Sequence, residues 1–188
     1  IWISLINHRK TQPIIRSEHM SANMHKTFGG GNDTITKLSG LLGGSQVLTM
    51  RGYMPISSLE AGDRIVTRNG MRTLQELRVE RHMMRPIRVG QGTLGFSRPN
   101  ADMLMAPDQE VMVRDWRAEM LFGRDMVIVN INTLVDGKYI AEEAELDIHE
   151  VYQLGFEEEE IFYVDGVEVI SNFAAEIAAD PEKVFVAA

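Results

Sequence analysis

From Ser45 onward the chain sets short apolar runs between turn signals, and no long stretch keeps a helical period. That pattern predicts an all-β fold of short strands and hairpins rather than a parallel α/β sheet. Gln46–Met50 is the first expected strand. Ile56–Ala61 predicts one helical turn, with Ser57 near its start and Gly62 just past its end, where a left-handed backbone costs glycine little. Arg64–Arg68 and Met71–Leu74 flank Asn69-Gly70, a strong hairpin signal. Further strands are expected at Leu77–His82, Ile87–Val89, Met103–Met105, Glu110–Val113 and Met126–Asn130, with a turn at Asp136-Gly137. Val151–Phe156 and Ile161–Val164 form the last pair, after which Asp165-Gly166 turns the chain into Val167–Ile170. Asn172 reads as the cap of a short helix, Phe173–Ala179, stopped by Pro181. Residues 1–38 are polar and without a clear period, so they read as an N-terminal extension. Residues 173–188 read as a C-terminal helical tail.

A chain of 188 residues fits one domain with tails. At that size roughly 70% of the unfolded surface can be buried, so a core needs no staples. The sequence has no cysteine, which excludes disulfides, thiolate metal sites and a thiol nucleophile. The net charge of −8 argues for solubility and against a nucleic-acid partner, whose phosphates need a basic face. Twelve methionines predict a soft, irregular core. No apolar run approaches the about 20 residues of a membrane helix, so no membrane span is expected. The opening IWISLINHRKTQPIIRSEHM is broken at Asn7-His8-Arg9-Lys10, so a signal peptide is not expected, and Met20 or Met24 is a candidate start. Cytoplasmic location and secretion without a classical signal both stay open, as does an unknown protein partner.

Several local patterns carry chemistry only on a generous reading. His149-Glu150-Val151-Tyr152-Gln153 begins like a zinc-protease motif, but Gln153 stands where the second ligand belongs. On a strand, positions i and i+4 lie about 13 Å apart, too far to share a zinc. Phe28-Gly29-Gly30-Gly31-Asn32-Asp33-Thr34-Ile35 looks like one turn of the RTX calcium repeat, with Asp33 as the candidate calcium ligand. One turn has no neighbour to stack on, and a Gly-rich linker is the plainer reading. Glu157–Glu160 reads as a solvated hairpin loop. Trp116, between Asp115 and Arg117, reads as a partly buried packing residue. The glycines of Gly90–Gly95 lack a phosphate-loop lysine and precede no helix, so nucleotide binding is not expected.

The stretch SQVLTMRGYMPISSLEAGDRIVTRNG, with Ser45, Val47, Thr49, Gly52, Leu59, Gly62 and Asp63 at its fixed points, resembles the opening of the Hint (Hedgehog/intein) superfamily. PIRVGQGTLG, MLMAPDQEVMV and YQLGFEEEEIFYVDGVEVISN follow in the family's order. The likeness covers about Gly40–Asn172, and residues 39–172 are taken as the Hint-like domain. It is strongest to the bacterial Hint domains often found behind calcium-binding repeats, a context that the Asp33 segment fits. The resemblance implies a flattened all-β horseshoe with pseudo-two-fold symmetry. It also implies a self-processing ancestry, in which a Cys or Ser attacks the preceding peptide carbonyl to give a (thio)ester. That uphill shift needs a nucleophile, an acid or base, and donors for the oxyanion.

The family's chemical positions carry over to Gly40, Ala106, Asp108, Gln109 and Gln153. Gly40 falls where the nucleophilic Cys belongs. Ala106 and Gln109 fall on the Ser/Thr and His of the acid/base box, and Gln153 on a late-strand His. Only Asp108 matches. An amide does not titrate, so neither glutamine shuttles a proton. Losing one member of a cooperative catalytic set can cost about six orders of magnitude in rate. Ser39, one residue away, is the fallback nucleophile for an N–O acyl shift assisted by Asp108 or water; a solvated loop serine is the plainer reading. Ser45 and Thr49 lie nearby. For splicing, Ser171-Asn172-Phe173 retains only the Asn, and Phe173 is no nucleophile. The sequence thus predicts a Hint-type domain with degenerate chemistry, a scaffold or binding module. A Ser39 self-cleaving domain and a calcium-stabilised secreted module are the alternatives.

Overall fold

The computed structural model describes Arg16 and residues 37–174; Asp33 and the tail from residue 175 lie outside the described residues. The first strands are β1 (Leu41–Leu42), β2 (Gln46–Thr49), β3 (Gly52–Pro55), β4 (Arg64–Thr67) and β5 (Gly70–Thr73). Then come β6 (Glu76–Met84), β7 (Ile87–Val89), β8 (Met103–Met105), β9 (Glu110–Val113) and a short helix, α1 (Trp116–Phe122). The chain continues through β10 (Val127–Asn130), β11 (Ile140–Glu142) and the long β12 (Asp147–Phe156). It closes with β13 (Ile161–Val164), β14 (Val167–Ile170) and β15 (Phe173–Ala174). The expected all-β class is what forms.

Two sheets share the core. One runs β11-β7-β8-β1-β12-β15, with β6 on the other side of β12. The second runs β10-β9-β14-β13-β2-β4-β5, with β3 on β2. Pairing is antiparallel except between β12 and β15. Alternate residues of both sheets point into one cluster that includes Leu41, Val47, Ile65, Met105, Leu154 and Val169. Phe156 and Phe162 meet there with ring centroids 5.8 Å apart. Among the described residues no helix is long and apolar enough to cross a membrane.

Turn chemistry explains the hairpins. At Asp165-Gly166 both residues have positive φ, 49° and 82°, and Val164 faces Val167. This is the two-residue turn whose twist suits a hairpin. The Asn69-Gly70 hairpin forms with its turn one residue earlier than expected. Thr67 faces Gly70, so Arg68-Asn69 is the loop and Gly70, at φ 98°, begins β5. The threonine is the reason: Thr67 Oγ1 donates to the Gly70 carbonyl and accepts from the Asn69 N–H. Thr49 does the same with Gly52 and Arg51, so one Thr-x-x-Gly turn is used twice.

Four expectations are corrected. Phe173–Ala174 is a strand, not the start of a helix; residues 175–179 lie outside the described residues. Tertiary packing overrides the cap signal there: Arg78 lies 3.9 Å over the Phe173 ring, which packs on Gly155 where a Cβ would collide. Ile56–Ser58 is a single 3-10 turn, shorter than the Ile56–Ala61 helix, because Leu59 already leaves the helical region. Trp116 is 62% exposed and opens α1, a helix signalled by Asp115, whose side chain caps Arg117 N–H, and by Gly123 in the left-handed conformation after the last turn. Glu160 is not part of a solvated loop. It is 3% exposed, accepts from Arg72 Nε (2.7 Å) and Asn69 Nδ2 (3.1 Å), and shares the Thr67 hydroxyl proton with the Gly70 carbonyl (Oγ1 to Oε2 2.9 Å), fastening β13 to the β4–β5 hairpin. Strands β1, β3 and β11 were not expected: β1 has two residues, and β3 (GYMP) and β11 (IAE) lack the apolar run of the strands that were.

Glu160→Ala removes a buried carboxylate that accepts from Arg72 and Asn69, and leaves the Thr67 hydroxyl only the Gly70 carbonyl. It is expected to cost about 2–3 kcal/mol in urea unfolding, and a change within error would refute the fastening role. Asp165 supplies a pH test. Burial pushes its carboxyl above its ordinary 3.8, against the lowering by the Gln46 N–H. The ionised form is therefore disfavoured in the folded state. Stability from this group is full below pH 4 and falls as pH rises through the folded pKa. Asp165→Asn, which keeps an acceptor and tolerates positive φ, is expected to raise Tm by a few degrees at pH 7. The gain disappears below about pH 4; a gain independent of pH would sink this account.

Candidate functional site

The chain enters the domain as an extended segment, Lys37–Gly40, laid against the Ala106–Gln109 turn between β8 and β9. Leu38 and Asp108 bond in both directions. The Asp108 N–H donates to the Leu38 carbonyl, and the Leu38 N–H donates to Asp108 Oδ2, both at 2.9 Å. The Ala106 N–H donates to the Gly40 carbonyl at 2.9 Å. The other Asp108 oxygen accepts from Asn130 Nδ2 at 3.2 Å. Both carboxylate oxygens of Asp108 are thus engaged, and neither contact is with Ser39.

Strand β12 forms the opposite wall. Leu41 pairs with Tyr152 and Leu42 with Val151. This register presses Gly40 onto β12. Its φ is 144°, a Cβ there would overlap Val151 Cγ1, and it would lie 2.9 Å from the Tyr152 carbonyl oxygen. One residue further along β12, Gln153 Nε2 donates to the Ser39 carbonyl at 2.8 Å.

Two more amides complete the cleft. Gln109 is 1% exposed. Its Nε2 donates to the Ile170 and Glu110 carbonyls, both at 2.9 Å. Asn172 Nδ2 is shared between Gln109 Oε1 (3.0 Å) and Ser39 Oγ (3.1 Å). Arg16, Lys37, Glu110 and Glu159 line the rim of this cleft of about 190 Å³. Among the described residues, the side chains hydrogen-bonded to Ser39 are both amides, Gln153 and Asn172. Such a set holds carbonyls and hydroxyls in place but moves no proton near neutral pH.

The structure thus brings together Ser39, Gly40, Ala106, Asp108, Gln109 and Gln153, the positions expected from sequence. Sequence reasoning missed Asn172 as the link between Ser39 and Gln109. Its side chain turns inward instead of capping a helix. The missed signal is its place after the closing hairpin. The remaining candidates go elsewhere. His149 pairs with His82 across β6 and β12, and Glu150 binds Arg81 at 2.9 Å. The Thr49 hydroxyl serves its own hairpin. Ser45 is buried, its N–H donating to the Leu42 carbonyl. In the Gly90–Gly95 loop the N–H groups of Gly90, Gly92 and Leu94 bond to backbone carbonyls. Among the described residues no group of three His, Cys, Asp or Glu side chains is placed to hold a metal ion.

The Hint domain family model matches residues 39–176. The solution structure of a bacterial intein-like domain from Clostridium thermocellum is similar at 17% identity and a TM-score of 0.52, over 72% of this chain and 99% of that one. The crystal structure of gp41-1 intein is similar at 13% identity and a TM-score of 0.48, over 70% and 97%. No curated protein matches the chain. With most of its length matched, the chain belongs to the Hint domain family, whose fold is that of self-processing domains.

Proposed function

We propose that this Hint domain is a scaffold or binding module whose self-cleaving chemistry has been lost. The observation that carries the reading is Gly40. At the position matching the family's nucleophile there is no side chain and no room for one, since Val151 and the Tyr152 carbonyl occupy the space. Gln109 and Gln153 stand where the matching histidines belong, and both are committed to carbonyl oxygens. They support a binding role for the cleft: it grips an extended segment by its backbone.

One observation favours the second reading, a serine-based acyl shift at Leu38–Ser39. The Leu38 carbonyl already accepts the Asp108 N–H, as an oxyanion donor would require. Against it, Ser39 Oγ meets an amide donor from Asn172, and the Asp108 carboxylate is turned to Leu38 and Asn130. A calcium-stabilised form would rest on Asp33, outside the described residues.

Intact mass of the purified chain, followed for a day at neutral pH with and without hydroxylamine, separates the two readings. Hydroxylamine cleaves an ester and so traps a break before the nucleophile. The mass is expected to stay whole in both samples; fragments ending at Leu38 and beginning at Ser39 would establish the serine reading. Gly40→Cys tests the geometric argument. It is expected to produce no cleavage and to cost about 2–4 kcal/mol, the sum of an overlap and a strained backbone. Gly40→Cys combined with Val151→Ala should recover part of that loss. Cleavage by the single variant would show that the space is open after all.

A further inference from the structure

Arg16 belongs to the N-terminal extension, yet it sits at the rim of the Ser39 cleft. Its backbone forms a parallel bridge with Ile128 of β10. Its guanidinium reaches Glu110 Oε2 at 2.7 Å and Glu159 Oε2 at 3.0 Å. β10 is the outer strand of its sheet, with β9 on its inner side. An outer strand presents backbone groups that can pair with a further chain. Glu110 begins β9, and Glu159 lies in the β12–β13 connection, so the two carboxylates come from different elements and converge on one cation. The backbone bridge and the ion pairs are separate observations that point to the same occupant. Residues 17–36 intervene before the domain, and extended chain covers about 3.3 Å per residue, so reach is no obstacle.

We propose that the outer edge of β10, together with the Glu110–Glu159 pair, is a docking surface for the chain's own N-terminal segment, anchored by Arg16. Arg16 stands where a residue of an incoming strand would pair, at the edge next to the cleft. Tethering favours it over free competitors, because a short tether corresponds to an effective concentration in the millimolar range. The proposal does not depend on whether Ser39 or Gly40 supports chemistry.

Dilute trypsin on the full chain reads the docking directly. Cleavage after Arg16 is timed against cleavage after Lys26 in the same molecules, in the wild type and in the Glu110→Gln/Glu159→Gln variant. Each exposed pair contributes up to about fivefold. The variant is therefore expected to raise the Arg16-to-Lys26 cleavage ratio about three- to tenfold with an unchanged Tm. Arg16→Ala is expected to speed hydrogen exchange of β10 amides without affecting β13. An unchanged ratio together with unchanged β10 exchange would overturn the proposal. So would a ratio that varies with protein concentration, since the arginine would then come from a second copy.

Discussion

The register of β1 against β12 is the constraint on which the rest of the molecule depends. Leu41 opposite Tyr152 sets Gly40 on Val151 and brings Gln153 to the Ser39 carbonyl. The same β12 carries β6 along nine paired positions and β15 at its end, so it supports the whole first sheet. Side chains alternate across a strand. Leu154 packs in the main cluster and Val151 in a second one with Leu42, Met84 and Ala106, on the opposite face of the strand, so a slip of one residue would exchange the two sets and turn Gln153 away from the chain. Burial therefore fixes the register, and the register fixes the cleft. The contact between Gly40 and β12 is a consequence of how the sheet packs rather than a local feature of a loop.

Around that contact, three amides tie together parts of the chain that are far apart in sequence. Asn172 joins the exit of the domain to its beginning at Ser39, and to Gln109 in the turn between β8 and β9. Gln109 joins that turn to β14 through the Ile170 carbonyl. A buried amide left unpaired costs free energy, while a network with its partners in place specifies one arrangement. An imidazole at either glutamine position would offer the same reach with a proton that comes and goes near neutral pH. The amides hold the clasp and do not titrate near neutral pH.

Much of the fold was legible because its determinants are local. Asp165-Gly166 reads directly as a turn, since both positions need positive φ and both residue types tolerate it. Asn69-Gly70 misled by one residue, because a threonine hydroxyl two positions earlier selects a different turn. Trp116 misled because seven residues of helix are too few to show a period. Glu160 could not be read at all: it lies among three other glutamates, and its partner Arg72 is remote in sequence. The site divides the same way. The convergence of Gly40, Asp108, Gln109 and Gln153 followed from the order of the motifs. Asn172 and the Arg16 contacts depend on closure of the sheets, which no short window contains.

The residues that carry the family likeness and the residues that would carry its chemistry are different sets, and this explains how one can stand without the other. Thr49 closes a hairpin with its hydroxyl. The Gly62 N–H donates to the Leu74 carbonyl at 2.7 Å. Asp63 accepts from the Glu60 N–H and from Arg51, fixing the bend before β4. Val47 and Leu59 fill the core. Each of these is required by folding, whatever the cleft does. Gly40, Ala106, Gln109 and Gln153 lie at positions where the fold asks only for compatible shape and satisfied hydrogen bonds. A glycine, a buried methyl group and two paired amides meet that demand, and on the proposed reading they leave a stable frame that holds a peptide segment without cutting it.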